Sequence, residues 1–136
     1  MTERARPNTV LAFLCFLLVP STAGARDLTG LWATDASKCD NVFTRNGNNF
    51  SVARDADLHG SGFIIDGRRI VTQLAKCDIK TSKEDGQVTH LMLSCATDVM
   101  LSNVQASFKV VSDDRLLRIF PGGSDMEIPY ERCTLK

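Results

Sequence analysis

Two imidazoles, a serine set between glycines, and a set of cysteines are the groups in this chain with chemical potential. His59-Gly60-Ser61-Gly62 places an imidazole close to a hydroxyl. A serine nucleophile needs a base that is itself oriented by a carboxylate. The stretch is not the G-x-S-x-G elbow, because His stands at position 59 and no strand-to-helix turn follows. Its glycines account for it more simply, as a tight loop before Phe63. His90 falls on the polar side of an alternating run and is expected in solvent. The sequence therefore predicts no catalytic residue, and the chain is read as not an enzyme.

The cysteines point to structure instead. Cys39, Cys77, Cys95 and Cys133 form an even set without any C-x-x-C pair, which disfavours both a zinc site and a redox-active pair. Two disulfides are the expectation. Three pairings are open. Cys39–Cys77 with Cys95–Cys133 is preferred, because it encloses equal spans and avoids a direct cross-strand Cys77–Cys95 bridge, whose geometry is demanding. Acidic pairs at Asp55 and Asp57, Glu84 and Asp85, and Asp113 and Asp114 lack calcium-loop spacing and suit turns. No metal and no cofactor are predicted.

Compartment follows from the first 25 residues. Arg4 and Arg6 precede an apolar run from Val10 to Val19, Pro20-Ser21 breaks it, and Ala23-Gly24-Ala25 offers a cleavage site. The run is too short to span a bilayer, which takes about 20 residues. Residues 1–25 are read as a cleaved signal peptide that carries Cys15 away, and 26–136 as one domain in the periplasm or outside the cell. Removing Arg4, Arg6 and Glu3 from 16 basic and 16 acidic residues leaves 14 and 15. That balance gives no reason to expect nucleic acid or an anionic membrane as partner.

The elements that must position these groups are strands. Short apolar runs alternate with turn signals about every ten residues, as in an all-β sandwich or barrel. Asp66-Gly67 and Glu84-Asp85-Gly86 mark tight turns, and Asn46-Gly47-Asn48 a hairpin. Val88 to Thr97 puts Leu91, Leu93 and Cys95 on one face; Val104 to Val111 puts Val104, Ala106, Phe108 and Val110 on one face. Arg69 to Thr81 reads as one long strand, and Asp35 to Asp40 allows one helical turn. Eight or nine short strands form an antiparallel up-and-down meander, and a barrel is favoured over a sandwich because closure removes open edges. The expected core is Phe43, Phe50, Phe63, Ile65, Ile70, Leu74, Ile79, Leu91, Leu93, Phe108, Val110, Leu117, Ile119 and Ile128.

Gly30-Leu31-Trp32 holds the only tryptophan. It resembles the G-x-W opening of lipocalins and related calycin barrels. That resemblance implies a barrel end closed by Trp32, with Arg132 packed on its ring, and a carrier of a small hydrophobic ligand. Leu28-Thr29-Gly30-Leu31-Trp32, followed seven residues on by Cys39, also looks like the small periplasmic metalloprotease inhibitors. That likeness implies an eight-stranded barrel whose N-terminal segment, Arg26 to Thr29, enters a protease. The expectation is a monomeric, non-enzymatic binding or inhibitor module. Its candidate partner or ligand contacts are Arg26, Asp27, Leu28, Trp32 and Arg132, with Pro121-Gly122-Gly123 as a loop open to a partner.

Overall fold

The computed structural model describes residues 1, 26–122 and 126–135. The expected leader falls outside these from residue 2 onward, Cys15 included, as does Gly123. Ten strands follow in order: β1 (Gly30–Ala33), β2 (Phe43–Asn46), β3 (Asn49–Val52), β4 (Gly62–Asp66), β5 (Arg69–Val71), β6 (Lys76–Asp85), β7 (Val88–Ala96), β8 (Leu101–Ser112), β9 (Arg115–Ile119) and β10 (Glu127–Cys133). Eight of them close into an antiparallel barrel in the order β1-β10-β9-β8-β7-β6-β5-β4. From β4 to β10 each strand pairs with its successor, so the barrel is an up-and-down meander. Between β1 and β4 the chain makes an excursion: a 3₁₀ turn (Ala36–Lys38), one α-helical turn (Cys39–Val42), the β2–β3 hairpin and a second 3₁₀ turn (Ala56–His59).

Two cores result. Inside the barrel Trp32, Phe63, Ile65, Ile70, Leu91, Leu93, Phe108, Leu116 and Tyr130 pack together. Outside it, the excursion lays Val42, Phe43, Ala53 and Ala56 on Leu31, Ala33 and Ile64. Strands β1 and β4 are thus covered on both faces, which is why Phe63-Ile64-Ile65 is apolar without alternation. Gly67 and Gly86 hold φ of 56° and 60° in the β4–β5 and β6–β7 turns, a region that suits glycine.

Several expectations need correction. The disulfides are Cys39–Cys133 and Cys77–Cys95. In the β6–β7 ladder Cys77 lies opposite Cys95, with Cα atoms 4.0 Å apart, so the disfavoured cross-strand bridge is the one formed. Cys39 instead ties the excursion to the last strand. The Arg69–Thr81 run is two strands, because Thr72 Oγ1 accepts from the amides of Leu74 and Ala75 (3.3 and 3.0 Å) and turns the chain. Leu74 is therefore 77% exposed at a loop tip rather than in the core. Phe50 lies on the exposed β2–β3 hairpin, beneath the guanidinium of Arg45. In β9 the inward residue is Leu116, fully buried, while Leu117 and Ile119 are half-buried; the register shift between Val110 and Ser112 on β8 sets that phase.

Candidate binding end of the barrel

The barrel has one closed end and one open end. Trp32, 1% exposed, plugs the closed end, and its indole Nε1 donates to the carbonyl of Leu28 at 2.9 Å. Arg132 lies with its guanidinium carbon 4.3 Å from the Trp32 ring centroid, a cation–π contact. Its Nη1 donates to Thr29 O (2.6 Å) and its Nε to Asp113 O (2.8 Å), so the one side chain fastens the entry segment to the β8–β9 turn. Gly30 is required here: a Cβ would stand 2.3 Å from Arg132 Nη1, and its φ is 153°.

The N-terminal residues belong to this closure. Leu28 is buried in the interior core, and the Asp27 carboxylate accepts from Thr29 N at 2.9 Å. The hydroxyl and amide of Thr29 hold the Asp27 carboxyl below its ordinary range. The amide of Arg26 donates to the Glu84 carboxylate. Arg26 and Asp27 are exposed, but the segment is folded across the barrel end rather than extended from it. The five predicted contacts, Arg26, Asp27, Leu28, Trp32 and Arg132, come together around one cavity of about 300 Å³ at this end.

The opposite end carries features that sequence reasoning missed. Thr97 repeats what Thr72 does: its Oγ1 accepts from the amides of Val99 and Met100 (3.4 and 3.2 Å) and shapes the β7–β8 loop. The two loops are neighbours, since Lys76 pairs with Ala96 in the ladder and one cleft is lined by Thr72–Lys76 and Ala96–Asp98. Their apolar side chains stand in solvent: Leu74 is 77% exposed, Val99 90%, Met100 59% and Leu101 84%. Beneath them a cavity of about 290 Å³ opens into the barrel, floored by Phe63 and Phe108 and walled by Ile70, Leu93, Val104 and the Cys77–Cys95 bridge. It exists because pairing of β8 with β9 begins only at Ser107, leaving Leu101–Ala106 beyond that wall, and because Ala75 and Ala106 are small. A cavity of about 300 Å³ also lies beside Trp32, between Leu28, Val110, Leu116 and Arg132, so the calycin-like expectation of a void at Trp32 has a counterpart there as well as at the open end. The only sequence signal was a pair of threonines, each followed within a few residues by aliphatic side chains.

The catalytic candidates do not assemble. His59 ends a 3₁₀ turn, and the Gly60-Ser61 loop is locked to Thr34, whose hydroxyl accepts from Ser61 N at 3.0 Å. His90 Nδ1 lies 2.8 Å from Ser107 Oγ, but Ser107 is 1% exposed and no described carboxylate is hydrogen-bonded to the imidazole. Among the described residues no three His, Cys, Asp or Glu side chains converge on a point, and no helix is long and apolar enough to cross a membrane. Compared with known proteins, the chain matches no family model, no curated protein and no solved structure.

Proposed function

We propose that this chain is a non-enzymatic, monomeric binding barrel of the periplasm or extracellular space, and that its open end docks another exported protein. The observation that carries the reading is the exposed apolar rim. Three large aliphatic or thioether side chains sit on two adjacent loop tips and Leu101 at the start of β8 beside them, where water would otherwise be met by polar groups. Loops held by a rigid scaffold are where binding is usually placed. Two disulfides suit an oxidising exported compartment, which the leader-like N-terminal sequence also favours. The likeness to metalloprotease inhibitors adds proteases as a partner class, and bacterial lysozyme inhibitors, other small exported barrels of this size and architecture, add lysozymes. The loops rather than Arg26 to Thr29 are the docking element.

The test is inhibition of secreted proteases and lysozymes by the oxidised protein, beside the variant Val99→Ser/Leu101→Ser. Burial of two such side chains is worth about 1.5–3 kcal/mol each, so the variant should bind at least tenfold more weakly. Failure to inhibit or retain any such enzyme, or unaltered inhibition by the variant, would overturn the reading. The cavity beneath the rim favours a second one, carriage of a small hydrophobic ligand.

A further inference from the structure

We infer that the open-end cavity is a site for a single-chain amphiphilic anion, its aliphatic tail in the barrel and its carboxylate on Arg118. The inference rests on the second reading above and adds to it a ligand class and a recognition residue.

Arg118 is placed by register. It pairs with Phe108 on one side and Ile128 on the other, and it shares its phase along β9 with the buried Leu116. Its side chain therefore enters the barrel, where among the described residues it is the only charged one lining the cavity. The guanidinium carbon lies 5.0 Å from the Phe120 ring centroid, so the group is steered by stacking. Among the described residues no carboxylate pairs with it and no oxygen accepts from it. Among the described residues nothing takes up its five N–H donors, at a half-buried position. The other arginine in the barrel frame that packs on an aromatic ring, Arg132, spends its donors on Thr29 and Asp113. A guanidinium beside an apolar cavity is chemically matched to a bidentate oxyanion, and partial exclusion of water strengthens that match.

The cavity limits the tail. A methylene takes up about as much room as a water in the liquid, ~30 Å³, so the space suits roughly six to nine carbons. A cavity of about 290 Å³ suits one short tail, which sets a free amphiphile above a membrane phospholipid.

Octanoate, octanol and octylammonium, titrated by calorimetry into the oxidised protein, test this. Octanoate should bind about ten- to a hundredfold more tightly than octanol, and octylammonium least tightly. Arg118→Gln should bring octanoate to the level of octanol while leaving octanol unchanged. Arg118→Lys, which keeps the charge but not the fork, should retain part of the preference. A cooperative urea transition in each variant confirms its fold. If octanol binds as well as octanoate, or the preference survives Arg118→Gln, the anion site is refuted while the carrier reading stands. If neither ligand binds, both fall. Binding to phosphatidylglycerol vesicles without binding to octanoate would likewise overturn the proposal.

Discussion

Removing the Cys39–Cys133 bridge should destabilise this protein more than removing Cys77–Cys95. The first links residues 94 apart and the second residues 18 apart, and the shorter loop lies inside the longer. In the chain-entropy description a cross-link restricts the unfolded ensemble in proportion to the logarithm of the loop it closes. The outer bridge then contributes about 4.5 kcal/mol and the inner about 3 kcal/mol. Nesting matters little: the inner bridge shortens the outer loop, but the logarithm changes by only about 0.2 kcal/mol. Cys39→Ala/Cys133→Ala and Cys77→Ala/Cys95→Ala, each compared with wild type by urea denaturation, give the two costs. Ala is small enough to leave both cores otherwise intact.

Together the bridges amount to about 7–8 kcal/mol, a large part of the ~5–15 kcal/mol typical of a single domain. Protein made where thiols stay reduced should therefore populate its unfolded form, and oxidised protein should not. Non-reducing peptide maps should give Cys39 joined to Cys133 and Cys77 to Cys95. A larger cost for the Cys77–Cys95 pair would refute the entropic reasoning. Peptides joining Cys39 to Cys77 would refute the barrel register itself.

Two further outcomes follow from the closed end and the interior. Gly30→Ala should cost about 2–4 kcal/mol, because the new methyl displaces Arg132 from both Thr29 and the Trp32 ring and strains the backbone. Urea denaturation gives the loss, and the emission of the sole tryptophan should shift with it; unchanged emission and stability would remove the plug from the account. Thr89 is 1% exposed with an unpartnered Oγ1, so Thr89→Val should stabilise by about 1 kcal/mol, and a lower unfolding midpoint would mean that the hydroxyl is satisfied.

How much of this was legible depended on whether one period described a segment. In Val88–Ala96 the alternation held throughout, and the inward residues were those expected. The run Arg115-Leu116-Leu117-Arg118-Ile119 offers an arginine and a leucine to each face, so its phase comes from the β8 irregularity instead. The disulfides were missed for another reason. The sequence puts Cys77 and Cys95 nearly opposite, and the demanding geometry of a direct cross-strand bridge argued against joining them. The ladder makes them direct partners. Asp85 pairs with Val88 across the turn, and that spacing continued unbroken would set Cys77 opposite Ala96. The irregularity between Ile79 and Thr81 shifts the ladder by one residue and brings Cys95 opposite. Neither irregularity has a local sequence signature. The open end was obscured by a different competition. Thr72 and Thr97 bend the backbone through their hydroxyls, and so place Leu74 and Val99 outside a core that hydropathy alone would assign them. The Trp32–Arg132 contact was anticipated through the G-x-W resemblance, and the pairing of Trp32 with Arg132 across β1 and β10 is what supplies it.

The asymmetry between the ends supports the proposed placement of binding. An eight-stranded barrel is narrow enough for side chains to fill it, so an unfilled region is a departure that the sequence must create. At the closed end the groups around Trp32 are engaged: indole on carbonyl, guanidinium on ring and two carbonyls, Leu28 in the core. At the open end the reverse holds. Small residues leave space where Leu or Phe would pack, an inward arginine has no described acceptor, and aliphatic side chains occupy the loop tips. Each choice leaves stability ungained: an empty cavity forfeits contacts, a half-buried charge is desolvated, and exposed apolar groups gain nothing from folding. A fold that secures itself so fully at one end and with two covalent links can tolerate those losses at the other. A single occupant would remove all three at once, and that coincidence is the physical argument for placing the binding event there.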